Sequence, residues 1–171
     1  MIDGIFLGAE VVLQNGVDVD TGLDGPSSLV SGAIGAFLTT LIIGAILVAV
    51  SPEYTERMVE DVPQDPLASF LYGFLALILL ALAIAVLVLT IVGILVAIPL
   101  VIVAYLAWAV GATIALLAIG VRLVGREDGW TKPLLVAAAI NGGLALTGVG
   151  GLVSFVIGAV GFGAVLRGVF G

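Results

Sequence analysis

The residues able to do chemistry in this 171-residue chain are mainly carboxylates, which occur in three short clusters. They lie within residues 3–24, 53–65 and 127–128. Carboxylates act as general acids and bases or as ligands of hard cations. The chain has no histidine and no cysteine, so imidazole catalysis, thiol chemistry, disulfides and Cys/His zinc sites are excluded.

The first cluster contains Asp18, Asp20 and Asp24, whose spacing superficially resembles a calcium-binding loop. An EF-hand loop needs glycine at its sixth position and a bidentate glutamate at its twelfth, where this chain has Leu23 and Leu29. We therefore interpret the cluster as a solvated acidic turn. The other two clusters fit the solvated surface of helix ends, and we expect no cofactor, no metal site and no enzymatic activity.

Long uncharged stretches separate the clusters and determine the class of protein. The chain is 62% hydrophobic and only 10% charged, with a mean hydropathy of +1.37. Soluble domains carry about 25% charged residues, so this composition predicts an all-α integral membrane protein. Twelve acids against five bases make nucleic acid an unsuitable partner, and we interpret the acidic, lysine-poor surface as that of a halophilic archaeon's protein.

The lengths of the uncharged stretches predict one span followed by two helical hairpins, giving about five transmembrane or half-spanning helices. A hydrocarbon core of about 30 Å is crossed by about 20 helical residues. The first span is 27–50, and the central stretch must fold back near Gly93 or Pro99 into arms at 67–92 and 95–121. The last stretch predicts a short hairpin of 133–147 and 151–167, turning at Gly148, Gly150 and Gly151.

The segments outside the spans have their own helical signals. Ser51 as a cap, Pro52 and an acidic first turn predict a short amphipathic interfacial helix at 52–62, and Asp65-Pro66 begins the next helix. The acidic N-terminal segment, 1–26, has the spacing of an interfacial helix, although Asn15-Gly16 also permits a β-hairpin. Because this segment has no positively charged region like that of a signal peptide, we expect it to be retained.

Small residues mark the helix faces that we expect to pack. One stripe on the first span consists of Gly32, Ala36, Thr40 and Gly44, and a second on the central hairpin of Ala107, Gly111 and Ala115. The first stripe suits either a helix of the same chain, which we favour, or a second subunit. Asn141 is the strongest polar group inside a span; it predicts a hydrogen bond to a neighbouring helix, with a pore or ligand contact as the alternative.

The basic residues predict the orientation. With one span followed by two hairpins, all five lie on the same side: Arg57, Arg122, Arg126, Lys132 and Arg167. The positive-inside rule makes that side cytoplasmic, so the protein is expected to be a multi-pass cell-membrane protein with its N-terminus outside and its C-terminus inside.

Several motifs resemble those of a known membrane domain. They are Glu56-Arg57 with Asp65-Pro66-Leu67, the run from Thr90 to Ile94, the run from Gly150 to Val153, and the run from Gly161 to Ala164. This layout is similar to the multi-span membrane domain associated with the bactofilin, or polymer-forming cytoskeletal, proteins of haloarchaea and bacteria. In that family a proline directly follows the Gly-Ile pair, whereas here Leu95 does and the proline comes at Pro99. The resemblance implies the membrane half without the polymerising β-helix, because only residues 1–26 precede the first span.

These observations predict a non-catalytic structural protein, an anchor or scaffold in a halophilic archaeal membrane or in the envelope of a virus that buds from it. Its expected partners are the lipid bilayer and either further copies of itself or another membrane or envelope protein. The alternative is a small oligomeric channel or facilitator for a neutral solute. Coupled transport is not expected, because no ionisable residue lies within the three apolar stretches.

Overall fold

The computed structural model describes residues 26–62, 64–147 and 149–170, and these form six helices and no strand. The helices are α1 (Pro26–Val50), α2 (Pro52–Asp61), α3 (Pro66–Val88), α4 (Ile91–Val124), α5 (Thr131–Ala145) and α6 (Gly150–Phe170). Four of them, α1, α3, α4 and α6, are long and apolar enough to cross a membrane. The predicted all-α multi-pass membrane class is thereby confirmed. The elements predicted before residue 26 and the turn at Gly148 lie outside the described residues.

The side chains of Asp65 and Thr90 cap the starts of α3 and α4. Asp65 accepts a hydrogen bond from the Ala68 amide at 3.1 Å, and Pro66 follows it at the first helical position of α3. The predicted cap at Ser51 is different, because its hydroxyl makes no capping bond. Its amide instead continues the α1 pattern by donating to the Leu47 carbonyl, so the chain passes from α1 to α2 with hardly a break.

The turn of the central hairpin lies earlier than the sequence analysis placed it. The chain reverses at Leu89 and Thr90, and the Thr90 hydroxyl oxygen accepts a hydrogen bond from the Gly93 amide at 2.9 Å. Gly93 is therefore in the first turn of α4, and Pro99 lies inside that helix. The threonine cap, rather than the glycine or the proline, determines where the helix begins.

The two C-terminal helices are unequal, whereas the sequence predicted two short ones. With 15 residues, α5 is about 22 Å long and falls short of a 30 Å core. With 21 residues, α6 is long enough to cross. Gly150 and Gly151 belong to the first turn of α6, while the residues that connect the helices include Leu146, Thr147 and Val149.

The bundle is arranged around α4, which contacts all five other helices. On one side α1 packs along α5, and on the other α3 packs along α6. Each hairpin arm therefore has its largest interface with a helix other than its hairpin partner. Among the described residues α1 contacts neither α3 nor α6, so the two helix pairs are joined mainly through α4.

Helix α2 closes one end of this bundle. Its apolar residues Thr55, Met58 and Val59, with Val62 just beyond it, are buried against the ends of α1, α4 and α6. The predicted amphipathic face is thus covered by protein rather than by lipid. The Thr55 hydroxyl, with none of its surface exposed, is within hydrogen-bonding distance of the Ser51 and Leu47 carbonyls, at 2.9 and 3.1 Å, and so ties α2 to α1.

Candidate functional site

Glycine-to-glycine contacts hold α6 between α3 and α4. A Cβ atom added to Gly111 would lie 2.5 Å from the backbone of Gly161 and Phe162, and one added to Gly161 would overlap the Gly111 carbonyl oxygen. On the other face of α6, a Cβ on Gly73 would lie 2.8 Å from the Gly163 amide nitrogen. Such close backbone approach is the main source of packing free energy between membrane helices, because lipid provides no hydrophobic drive.

The sequence analysis identified only half of this interface. Gly111 and Ala115 are buried on α4, and Ala107 is half-buried, in line with their predicted packing role. The matching face of α3 was missed, because no packing residue was predicted on that arm. Its signal was Gly73, the only glycine between Pro66 and Leu89, with Ser69 one turn before it; both are buried.

The small-residue stripe of α1 packs inside the chain along most of its length. Gly44 is buried, and a Cβ there would overlap Leu134 of α5 and lie 3.3 Å from Thr113 of α4. Thr40 is 2% exposed and Ala36 is half-buried. Gly32 differs, since it is exposed and an added Cβ would meet nothing within 4 Å.

Asn141 makes the interhelical hydrogen bond that was predicted for it. Its side-chain amide donates to the Thr40 hydroxyl at 2.7 Å and lies 3.3 Å from the Ala36 carbonyl oxygen. The amide thus joins α5 to the stripe of α1 in the uncharged interior. Two further hydroxyls are satisfied within their own segments, since Thr113 donates to the Ala109 carbonyl and Thr147 to the Leu144 carbonyl.

We expect Asn141→Leu to lower the free energy of unfolding by about 1 kcal/mol, the usual value for a hydrogen bond between membrane helices. Thr40→Val should have a similar effect, because either change leaves a buried polar group without its partner. The double variant should cost less than the sum, since both partners become apolar together. Unfolding in a denaturing detergent measures all three, and strictly additive losses would show that the two side chains do not interact.

All twelve charged residues of the described chain gather at one end of the bundle, which we call the charged end. It consists of α2 with the connection to α3, the last turn of α4, the α4–α5 connection, the first turn of α5 and the last turn of α6. Glu56 of α2 forms an ion pair with Arg126, which also stacks on the Trp130 ring at 4.7 Å. Arg167 donates to the Ser69 hydroxyl at 3.3 Å. These contacts fix α2 to the α4–α5 connection and α6 to α3.

Tyr54 is a titratable group of the charged end whose pKa is displaced by burial. Tyr54 has a raised pKa, because burial disfavours its ionised form more than the nearby Arg57 guanidinium favours it. The phenol therefore stays neutral at physiological pH. Within the described residues no three carboxylates converge closely enough to hold a metal ion.

A second feature is a cavity of ≈ 210 Å³ among α1, α4, α5 and α6, which we call the polar cavity. Although it lies among apolar helices, hydrogen-bonding groups are prominent in its wall: Thr39, Thr40, Tyr105, Trp108, Thr113, Asn141 and Ser154. Among the described residues, no charged side chain lines it. Of these residues, Thr40 and Asn141 were predicted to pack, whereas Thr39, Thr113 and Ser154 were given no role, because hydroxyls in helices usually bond to their own backbone.

The comparisons with known proteins identify a family but give no activity. No curated protein and no solved structure matches the chain. One family model, described as a domain of unknown function, matches residues 7–170, which include every helix described above. The chain therefore belongs to the family of that model, DUF8173.

Proposed function

We propose that this protein is a non-catalytic membrane anchor or scaffold, whose bundle holds the charged end at one membrane surface for a partner to bind. The observation that carries the proposal is the segregation of charge. Every charged residue of the described chain is at that end; the membrane-crossing helices carry only Arg122 and Arg167, each in the last turn of its helix. Coupled transport and proton relays usually need ionisable groups at membrane depth, so this distribution favours a structural role.

The construction of the charged end supports the proposal. Its α2 helix is fixed by buried apolar residues and by the Thr55 contacts with α1, while Glu53 and Glu60 remain exposed on the outer face. A rigid helix that presents charged side chains is a suitable binding surface, because little conformational entropy is lost when a partner binds. Either another copy of the chain or a different membrane or envelope protein would fit this surface.

We also propose an orientation and a membrane for the anchor. We infer that the charged end, with five basic residues, faces the cytoplasm and that the acidic N-terminal segment is outside. The excess of acids favours a halophilic archaeal membrane, or the envelope of a virus that buds from one. The resemblance to the membrane domain of polymer-forming cytoskeletal proteins makes a filament-forming partner at the charged end the first to test.

The test is purification from native membranes in mild detergent, with Glu53→Gln/Glu60→Gln as the altered surface and Leu75→Ala on the exposed face of α3 as the control. The wild-type chain and the control should recover the same partner in a fixed ratio, and the double variant should recover about tenfold less. Equal recovery by all three chains, or recovery of a lone monomer from each, would contradict the anchor.

The polar cavity favours one alternative, a channel or facilitator for a neutral solute. A conducting path must contain water, so cysteines at Thr113 and Asn141 would react with a water-soluble thiol reagent. The anchor predicts that both positions are dry, because Thr113 is only 3% exposed and Asn141 is bonded to Thr40. The native chain has no cysteine, so each single variant reports one position. Rapid labelling at both positions would favour the channel.

A further inference from the structure

The polar cavity contains hydrogen-bonding groups that the protein itself does not satisfy. Within the described residues the Thr39 and Ser154 hydroxyls and the Trp108 indole N–H make no hydrogen bond, unlike Thr40 and Thr113 beside them. In the described chain every fully buried side-chain polar atom has a hydrogen-bond partner, so the unpaired Ser154 hydroxyl and Trp108 N–H must be accessible to a small molecule. Thr39 is itself exposed. The three groups therefore point to a ligand that can both donate and accept hydrogen bonds.

The depth of the cavity excludes bulk water as the obvious partner. Thr39 lies eleven residues before Val50, the end of α1 next to the charged end, which is about 17 Å along the helix. That distance is close to the middle of a 30 Å hydrocarbon core. Unsatisfied polar groups at this depth cost free energy, which a bound hydroxyl group would recover.

The cavity is open to the side rather than toward either surface. Helices α1 and α4 come together at Gly44 and Thr113, nearer the charged end. Further from that end, two residues that line the cavity in the middle of their helices are exposed, Thr39 on α1 and Tyr105, 68% exposed, on α4. A molecule dissolved in the lipid can therefore reach the cavity between α1 and α4.

The lining also determines the charge and shape of the ligand. No ionised group lines the cavity, so a charged ligand would be desolvated without a counter-ion. Trp108 and Ile157 provide apolar wall beside the three hydrogen-bonding groups. A polar head with a hydrocarbon chain matches such a wall, because the chain can remain in the lipid when the head enters.

We propose that the polar cavity is a binding site for a neutral, hydroxyl-bearing amphiphile that enters sideways from the membrane. The hydroxyl head contacts Thr39, Ser154 and the Trp108 indole, and the hydrocarbon chain leaves between α1 and α4. This site is independent of the anchor function, because it lies in the uncharged interior and not at the charged end.

The test uses Trp108 as the reporter in lipid vesicles. The chain has two tryptophans, so Trp130→Phe leaves Trp108 as the only one. The probe is a long-chain 2-bromo-1-alkanol, with bromine on the carbon beside the one that bears the hydroxyl, and the matched probe is the 2-bromoalkane of equal length. We expect the alcohol to quench Trp108 saturably, whereas the alkane should quench only in proportion to its concentration in the lipid.

Variants then separate binding from partitioning. Thr39→Val/Ser154→Ala removes two hydroxyls that have no partner in the described chain, and should weaken saturable quenching about tenfold. Ser31→Ala, an exposed serine of α1 outside the cavity, should leave it unchanged. A thermal unfolding curve in detergent establishes that each variant folds, and Thr39→Val alone replaces the double variant if the latter does not.

Three results would overturn the proposal. The first is equal quenching of Trp108 by the alcohol and the alkane, and the second is saturable quenching that persists when the hydroxyls are removed. The third is strong quenching of Trp108 by iodide or acrylamide, which would show that the cavity belongs to an aqueous path. Failure here would leave the charged end and its partner assay unaffected, so the two proposals are tested separately.

Discussion

Gly161→Ala is expected to force α6 away from α4 and to lower the free energy of unfolding by about 3 kcal/mol. The added Cβ would overlap the Gly111 carbonyl oxygen and lie 3.0 Å from the Ala112 amide nitrogen. Both obstacles are backbone atoms of a helix, so no side chain can rotate away to make room. The loss is measured by titrating the purified protein with a denaturing detergent while following tryptophan fluorescence.

Gly151→Ala is the matched control on the same helix. An added Cβ at Gly151 meets nothing within 4 Å, and the residue is exposed. Alanine has a higher helix propensity than glycine by up to about 1 kcal/mol, so this variant should be neutral or slightly more stable. Equal losses from the two substitutions would mean that the α4–α6 contact is not the source of stability.

Gly44→Leu is the second substitution with a large expected effect. A leucine at this position would meet Leu134 of α5 and Thr113 of α4, and we expect a loss of about 2–3 kcal/mol. The far end of Leu134 can move, so alanine should cost less than leucine. The same detergent titration measures both.

Gly32→Leu tests the other end of the same stripe. Gly32 is exposed, with open space around it, so leucine should leave the stability of the folded chain unchanged. The size of the protein in mild detergent is measured alongside. A smaller assembly for Gly32→Leu would identify this end of the stripe as a contact between subunits, and a loss of stability as large as that of Gly44→Leu would contradict the packing described above.

The sequence was sufficient for the helical class because charge and hydropathy alternate so sharply. Stretches without charge become membrane-length helices, and the capping carboxylate of Asp65 followed by Pro66 marks a helix start that the structure has in the same place. These are local signals, and a local signal can be recognised without knowing which helices are neighbours.

The turn of the central hairpin shows where local signals mislead. The turn was expected near Gly93 or Pro99, yet Gly93 is buried in the first turn of α4 and packed against the Leu87 carbonyl at the end of α3. Its small size is needed for this close approach. Glycine serves both as a helix breaker and as a contact residue, and only the position of the neighbouring chain distinguishes the two.

Which helices pack against each other could not be predicted from the sequence, for a related reason. In lipid the outward-facing and inward-facing residues are both apolar, so Leu-rich α3 gave no periodic pattern apart from Gly73 and Ser69. The polar cavity could not be predicted from the sequence either. In the described part of the chain Thr39 and Ser154 have no hydrogen bond and Thr113 bonds its own helix, but the three side chains look alike in a sequence.

The most direct test of the account is the side of the membrane on which each helix end lies. Single cysteines at Gln64, Asp128 and Val169 mark the charged end, and one at Thr90 marks the opposite hairpin turn. With a membrane-impermeant thiol reagent, the first three should react only in inverted vesicles and Thr90→Cys only in intact cells. Reaction of Gln64→Cys and Asp128→Cys from opposite sides would contradict a bundle with one charged end at one membrane surface.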